Sequence, residues 1–287
     1  MKDHQELGKE LDLFCQSPAV GTGLPQMTPR GATVLRVLKR FVEDEEIRRG
    51  YGFTSTPFMA NDALYRISGH WDLYRENMFL IPDRDAGGVE GNADQSDQTE
   101  GHYLALRPMT CPFQFQIYLR KLHSYRDLPV RYAETSTLFR NEASGALHGL
   151  VRIRQFTLSE GHIICRPDQV DEEFLAALDL VRHVMGTIGI DEFWYRFSTR
   201  GQEPGGKFID DPAAWESSEE RLRGLLDRTG EPYVEAPGEA AFYGPKLDIQ
   251  ARDIWGREET LFTLQLDFAL PRRFGMVYTD AKGQDRH

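Results

Sequence analysis

The residues best suited to chemistry lie close together on one stretch. Arg131-Tyr-Ala-Glu-Thr-Ser-Thr-Leu-Phe-Arg140-Asn-Glu142 leads through Gly145 to Gly149 into Val151-Arg-Ile-Arg-Gln-Phe-Thr157. This reads as strand, polar turn and strand, with arginines and a glutamate at set places. Guanidinium forks bind phosphate oxygens bidentately, and a carboxylate accepts from the amino group of a base, so such a hairpin can grip a nucleotide. Taken singly, each arginine reads as a surface ion pair. Two further groups stand apart from the hairpin. Cys111 and His162 could ligate a metal, but alone they read as a small core residue and a satisfied histidine. Cys165, three residues past His162, would face the opposite side of a strand. Tyr243, in Ala241-Phe-Tyr-Gly-Pro-Lys246, reads on its own as a core tyrosine in a strand.

The elements that must position these groups follow from apolar period and turn chemistry. The pattern predicts helices over residues 4–13, 32–49, 61–67, 111–122, 168–188 and 212–228. It predicts strands over 51–59 (interrupted by Pro57), 102–107, 193–198, 242–251, 260–268 and 276–279, besides the hairpin over about 131–165. Residues 83–100 are acidic, carry turn-forming glycines and lack an apolar period, so they read as a mobile surface loop. Strands joined by short turns, with helices inserted between groups, indicate an α+β fold: a mostly antiparallel sheet flanked by helices.

Composition sets the bounds. A chain of 287 residues with 40% hydrophobic and 28% charged residues can bury the core of an ordinary globular domain. No run of 18 apolar residues predicts a membrane span, and the charged start lacks the apolar centre of a signal peptide, so a cytoplasmic protein is expected. Three scattered cysteines (Cys15, Cys111, Cys165) cannot form a disulfide framework. The net charge of −11 argues against non-specific nucleic-acid binding while leaving room for an RNA on a local basic face. Arg36, Lys39 and Arg40 cluster, as do Arg120, Lys121, His123 and Arg126; by themselves these read as solvated helix faces.

The hairpin resembles motif 2 of the class II aminoacyl-tRNA synthetases, and the chain resembles the threonyl-tRNA synthetase family from about Glu6 to Tyr278. Ser68-Gly-His-Trp71, Met109-Thr-Cys-Pro112, Ser124-Tyr-Arg-Asp-Leu-Pro129, Ala241-Phe-Tyr-Gly-Pro-Lys246 and Gln265-Leu-Asp-Phe268 match in order, which a single block by chance would not do. The resemblance implies ATP-dependent activation of threonine to threonyl-adenylate, with Mg2+ on the ATP, and transfer to tRNA(Thr). It gives Arg140 the α-phosphate and adenylate, Glu142 the adenine amino group, Phe156 the stacking face and Arg152 an outer phosphate. Lys246 and Gln265 line the ATP side, and Tyr243 bonds the substrate amine. His70 resembles a histidine that helps deprotonate the tRNA ribose hydroxyl; a histidine packing at a helix end fits the same position. Cys111 and His162 match two of three protein ligands to a Zn2+ whose shell threonine completes through its amino and hydroxyl groups, which excludes near-isosteric valine. Pro57 resembles the motif 1 proline at a dimer interface, implying a homodimer.

The chain departs from the family in two places. Leu158-Ser-Glu-Gly161 stands where better-known threonyl enzymes carry Gln-Asp-Asp-Ala, so Glu160 replaces an aspartate that contacts the threonine hydroxyl. The sequence also stops at His287, where motif 3, with the third zinc histidine and a γ-phosphate arginine, is expected some ten to fifteen residues beyond Phe274 to Thr279. Residues 1–287 therefore read as a class II catalytic domain incomplete at its C-terminus, with weak metal binding and little activity alone. Two other readings fit: a paralogue that charges a non-tRNA acceptor, and an inactive or partner-dependent module built on the synthetase fold.

Overall fold

The computed structural model describes residues 2–83, 103–201 and 207–287. The expected surface loop lies outside the described residues, apart from Asp83. The chain divides into two compact units, one of Lys2–Arg120 with Arg131–His162, the other of Lys121–Val130 with Ile163–His287.

The first unit opens with helix α1 (His4–Glu10) and the paired short strands β1 (Phe14–Cys15) and β2 (Gln26–Met27). Asp3 caps α1 in a reciprocal capping box with Glu6, which satisfies two orphan amide donors. Helix α2 (Pro29–Arg48) starts three residues earlier than its apolar period indicates. Thr28 accepts from the Gly31 amide, and Pro29 takes the first helical position, where a missing N–H is not missed. The expected strand over 51–59 is in fact two pieces in different sheets. β3 (Gly52–Phe53) pairs parallel to β7 (Val130–Phe139), and β4 (Met59–Asn61) pairs antiparallel to β6 (Tyr103–Leu106). Pro57, between the pieces, cannot donate to a ladder, and the chain changes sheet around it.

Helices α3 (Asp62–Ser68) and α4 (His70–Tyr74) meet at Gly69, whose φ of 81° is the left-handed value a helix stop requires. Strand β5 (Leu80–Pro82) completes a three-stranded sheet in the order β4-β6-β5. Tyr65, Trp71, Met78, Ala105 and Phe113 fill the core beneath it. Helix α5 (Cys111–Leu119) ends earlier than expected, and the hairpin strands β7 and β8 (Gln155–Ile164) stand beside β3 in the order β3-β7-β8.

The second unit holds α6 (Val170–Ile188), β9 (Trp194–Thr199), α7 (Pro212–Thr229), β10 (Tyr233–Pro237), β11 (Lys246–Arg252), β12 (Glu258–Gln265), α8 (Leu270–Arg273) and the pair β13 (Tyr278–Thr279) and β14 (Asp285–Arg286). The four-stranded sheet runs β10-β9-β11-β12. β9, β11 and β12 are antiparallel, as the alternating sequence predicts. β10 was not foreseen. It pairs parallel to β9 after the α7 crossover, and its Tyr-Val-Glu-Ala-Pro has no apolar alternation because it forms an exposed edge. Phe174, Leu178 and Met185 of α6, Leu222, Leu225 and Leu226 of α7, and Tyr195, Phe197, Leu247 and Ile249 of the sheet form its core.

Candidate active site

The candidate residues of the first unit gather around one face of β8. A strand sends alternate side chains to one side, so Phe156, Leu158, Glu160 and His162 share a face. At its turn end the loop from 141 to 154 folds on itself. The Arg140 amide donates to Arg154 O (2.9 Å), and His148 and Arg152 form an isolated antiparallel bridge. Gly149, at φ 49°, makes that tight turn possible. The Arg140 guanidinium lies 5.0 Å from the centre of the Phe156 ring, a cation–π contact. Its Nε is buried and, among the described residues, has no hydrogen-bond partner. Glu142 accepts from Arg152 Nε at 2.9 Å, and its backbone oxygen accepts from Arg154 Nε at 3.2 Å. Positive charge and an aromatic face thus meet beside a carboxylate, a combination suited to the phosphates and base of a nucleotide.

Toward its other end the same face docks on the first turn of α5. Glu160 Oε2 accepts from the Thr110 amide (3.2 Å), while its buried Oε1 has no hydrogen-bond partner among the described residues. Burial pushes the Glu160 carboxyl up to about 7, against the Thr110 hydrogen bonds and the pull of Arg107 and Arg140. His162 Nδ1 lies 2.6 Å from Gln114 Oε1. Cys111 opens α5 one turn before Gln114 and is buried. Burial holds the His162 ring down at about 4, well below its ordinary value, so it is neutral at pH 7.

A neutral imidazole and a thiol are donors of the kind zinc takes. Among the described residues no group of three or more His, Cys, Asp or Glu side chains is placed to hold a metal ion, so these residues offer an incomplete donor set. His287 makes a hydrogen bond to Met276 O (2.8 Å) through Nδ1. His70 lies fully buried at the start of α4, with its Nδ1 2.6 Å from Ser68 Oγ and its ring edge-on to Tyr74.

The remaining candidates lie in the second unit and form their own group. Tyr243 is not in a strand: β11 begins at Lys246, and Tyr243 occupies the turn before it. Gly244 lets this turn press on the end of β12, since a Cβ there would stand 1.9 Å from Leu266 O. The close approach brings the Tyr243 hydroxyl onto Gln265 Oε1, to which it donates. Lys246 is opposite Gln265 in the β11–β12 register and donates to both oxygens of Asp248 (3.0 and 2.9 Å). Asp248 is wholly buried and also accepts from Arg196, Ser198 and Thr263, so the lysine is one of several cations and hydroxyls around one carboxylate. Sequence reasoning missed Asp248, Gln114 and the N-terminal contacts of the loop. Asp248 had a signal: a charged residue set between the two apolar residues Leu247 and Ile249 of a strand.

Helices that flank mostly antiparallel strands, with an arginine, a glutamate and an aromatic on one hairpin, define a class II tRNA synthetase core. The family described as tRNA synthetase class II core domain (G, H, P, S and T) matches residues 93–287, and the chain belongs to it. Within that class its likeness is to the threonyl-tRNA synthetases. It is 51% identical over 286 residues to the threonine–tRNA ligase of Clostridium botulinum strain Eklund 17B, covering 99% of this chain and 42% of that protein. The chain thus spans less than half the length of the curated relatives it matches. The crystal structure of the RNA-binding domain of threonyl-tRNA synthetase from Cryptosporidium parvum superposes with a TM-score of 0.86 at 35% identity, over 100% of this chain and 67% of that one. A threonyl-tRNA synthetase from Aeropyrum pernix, ThrRS-1, superposes with a TM-score of 0.79 at 31% identity, over 96% and 62%.

Proposed function

We propose that this chain is the catalytic core of a threonine–tRNA ligase. In the first step the threonine carboxylate attacks the α-phosphorus of Mg-ATP, forming threonyl-adenylate and releasing pyrophosphate. In the second, a terminal ribose hydroxyl of tRNA(Thr) attacks the acyl carbon and AMP leaves. Neither step needs a protein nucleophile; both rest on positioning and on fixed positive charge where negative charge develops.

The observation that carries this reading is Arg140 held over Phe156 with a buried, unpartnered Nε. A guanidinium already fixed by stacking, with a donor still to satisfy, suits an α-phosphate beside an adenine sandwiched on the same ring. Glu142 then accepts the adenine amino group and Arg152 reaches an outer phosphate. Tyr243 bonds the substrate amine, while Lys246 and Gln265 line the ATP side. His70, buried beside Ser68 and Tyr74, helps deprotonate the tRNA ribose hydroxyl in the transfer step.

Cys111 and His162 would hold the zinc, with His162 kept neutral by burial. When bound, the metal supplies a Lewis-acid seat for the threonine amino and hydroxyl groups. Glu160, with one oxygen unpartnered, stands where the threonine hydroxyl donates. A homodimer completes the reading. On α2, Val34, Val37 and Leu38 are exposed, as are Phe58 and Met59 beside Pro57, apolar surface that a second copy would cover. The ligase works in the cytoplasm; among the described residues no helix is long and apolar enough to cross a membrane.

Threonine-dependent ATP–pyrophosphate exchange tests the proposal. Exchange with threonine and at least a hundredfold less with valine supports it; no exchange by the protein, with zinc and ATP saturating, overturns it.

A further inference from the structure

The loop from 141 to 154, which carries Glu142 and Arg152, is pinned from outside by the first residues of the chain. His4 Nε2 accepts from the Leu150 amide at 3.0 Å, at the tip of the loop. The two approach so closely that a Cβ on Gly149 would stand 1.9 Å from the same nitrogen. The His4 and His148 rings meet edge to face at 5.8 Å. At the loop's return, Gly23 O accepts from the Arg154 amide (2.9 Å) and Thr22 O accepts from Arg154 Nη1 (3.3 Å). A side chain on Gly23 would collide with Leu147 at 2.9 Å.

These pins are themselves anchored. The capping box fixes α1 and so the base of the His4 side chain. Leu13 O accepts from the Thr28 amide (3.0 Å) and from Thr28 Oγ1 (3.1 Å), and Gly31 packs so tightly that a Cβ would lie 1.9 Å from Leu13 O. The N-terminal segment is therefore fastened to the start of α2 at one end of its course and to the loop at two places.

We propose that residues 3–23 brace the nucleotide-binding loop and that His4 is a positioning residue for ATP. The inference rests on the nucleotide reading of the hairpin. A side chain that accepts from the Leu150 amide removes the loop's freedom at its tip before ligand arrives. Arg152, two residues on, then meets the triphosphate without an ordering cost. The contacts that hold the loop are made by His4, Thr22 and Gly23 rather than by the groups assigned to threonine, so the effect falls on ATP.

The test compares the wild-type protein with its His4→Ala and His4→Gln variants. A glutamine can place an amide oxygen near the position of Nε2. Loss of one such hydrogen bond is expected to raise KM for ATP about threefold to tenfold in His4→Ala. KM for threonine should stay unchanged, and His4→Gln should recover most of the loss. An ATP KM within twofold of wild type in His4→Ala, or an equal rise for both substrates, overturns the brace. Amide hydrogen exchange at Leu150 decides the matter independently of activity. Faster exchange at Leu150 in His4→Ala, with core amides as protected as in wild type, supports the pin; wild-type protection at Leu150 overturns it. A wild-type protein that lacks pyrophosphate exchange sinks the ligase reading, and the Leu150 measurement still decides the pin.

Discussion

The Nδ1 of His162 lies 2.6 Å from Gln114 Oε1, and an amide oxygen only accepts. The proton therefore sits on Nδ1, and Nε2 keeps its lone pair, as a metal ligand requires. The glutamine is oriented in turn, because its Nε2 donates to Thr54 Oγ1 at 2.8 Å and that hydroxyl donates to Glu134 (3.1 Å). Replacing Gln114 by leucine is expected to lower zinc affinity about 10- to 100-fold while leaving Cys111 and His162 in place. Zinc competition against a chelator, or the absorption of a cobalt-loaded protein, measures this; unchanged affinity would show that the tautomer is set elsewhere.

Arg140 is expected to be the most sensitive residue of the hairpin. Arg140→Ala should cut threonine-dependent exchange by about 10²- to 10³-fold, the scale seen when one donor to a developing charge is removed. Arg140→Lys should restore little, because an ammonium cannot stack on Phe156 and also present a fork. Thermal unfolding of both variants should remain near wild type, since among the described residues the guanidinium Nε has no hydrogen bond to lose and the alanine variant gives up only the contact with Phe156.

The buried ion pair of Arg107 and Glu134 makes an opposite prediction. Arg107 Nη1 donates to Glu134 Oε1 at 2.8 Å with both side chains nearly inaccessible, and Thr56 donates to the same carboxylate. Glu134→Ala leaves a buried arginine without its counter-ion and should cost about 3–5 kcal/mol in urea unfolding. The double variant Arg107→Met with Glu134→Leu should be less destabilised than Glu134→Ala, because no charge remains to desolvate.

Asp267 gives stability a pH dependence of defined sign. Its Oδ1 accepts from the amides of Ala269 and Leu270, yet burial pushes its carboxyl up to about 7 from an ordinary value of 3.8. The folded chain then holds a proton that the unfolded chain has released. This contribution is fully present below the unfolded value and is lost as pH rises to about 7, by at most about 1.4 kcal/mol per pH unit. Asp267→Asn keeps the acceptor and removes the titration. Urea unfolding should show wild type losing stability relative to this variant between about pH 4 and 7, and a parallel pair of curves would refute the assignment.

Much of the architecture was legible before folding, and for stated reasons. The α6 and α7 helices carry an apolar stripe and end at Gly189 and Gly230, so periodicity and stop signals agreed. The β9, β11 and β12 strands alternate because one face is buried against α6 and α7. Segments whose partners are distant were misread. Residues 51–59 form two strands in two sheets, and Tyr233–Pro237 becomes an edge strand through its pairing with β9 rather than through its own residues.

The site divides along the same line. Residue order determined the likeness to a synthetase core, because several blocks match in sequence, whereas the arginines, the thiol and the imidazole taken singly read as ion pairs, a core residue and a satisfied histidine. Only the tertiary structure decided how each is held: His70 wholly buried against Ser68 and Tyr74, Tyr243 turned onto Gln265 by the close approach at Gly244, His162 oriented by Gln114, and the loop tip fixed by His4, 146 positions away. Such contacts depend on where the backbone brings distant residues together. Burial and hydrogen-bond partners, which set charge state and orientation, exist only once the chain has closed on itself.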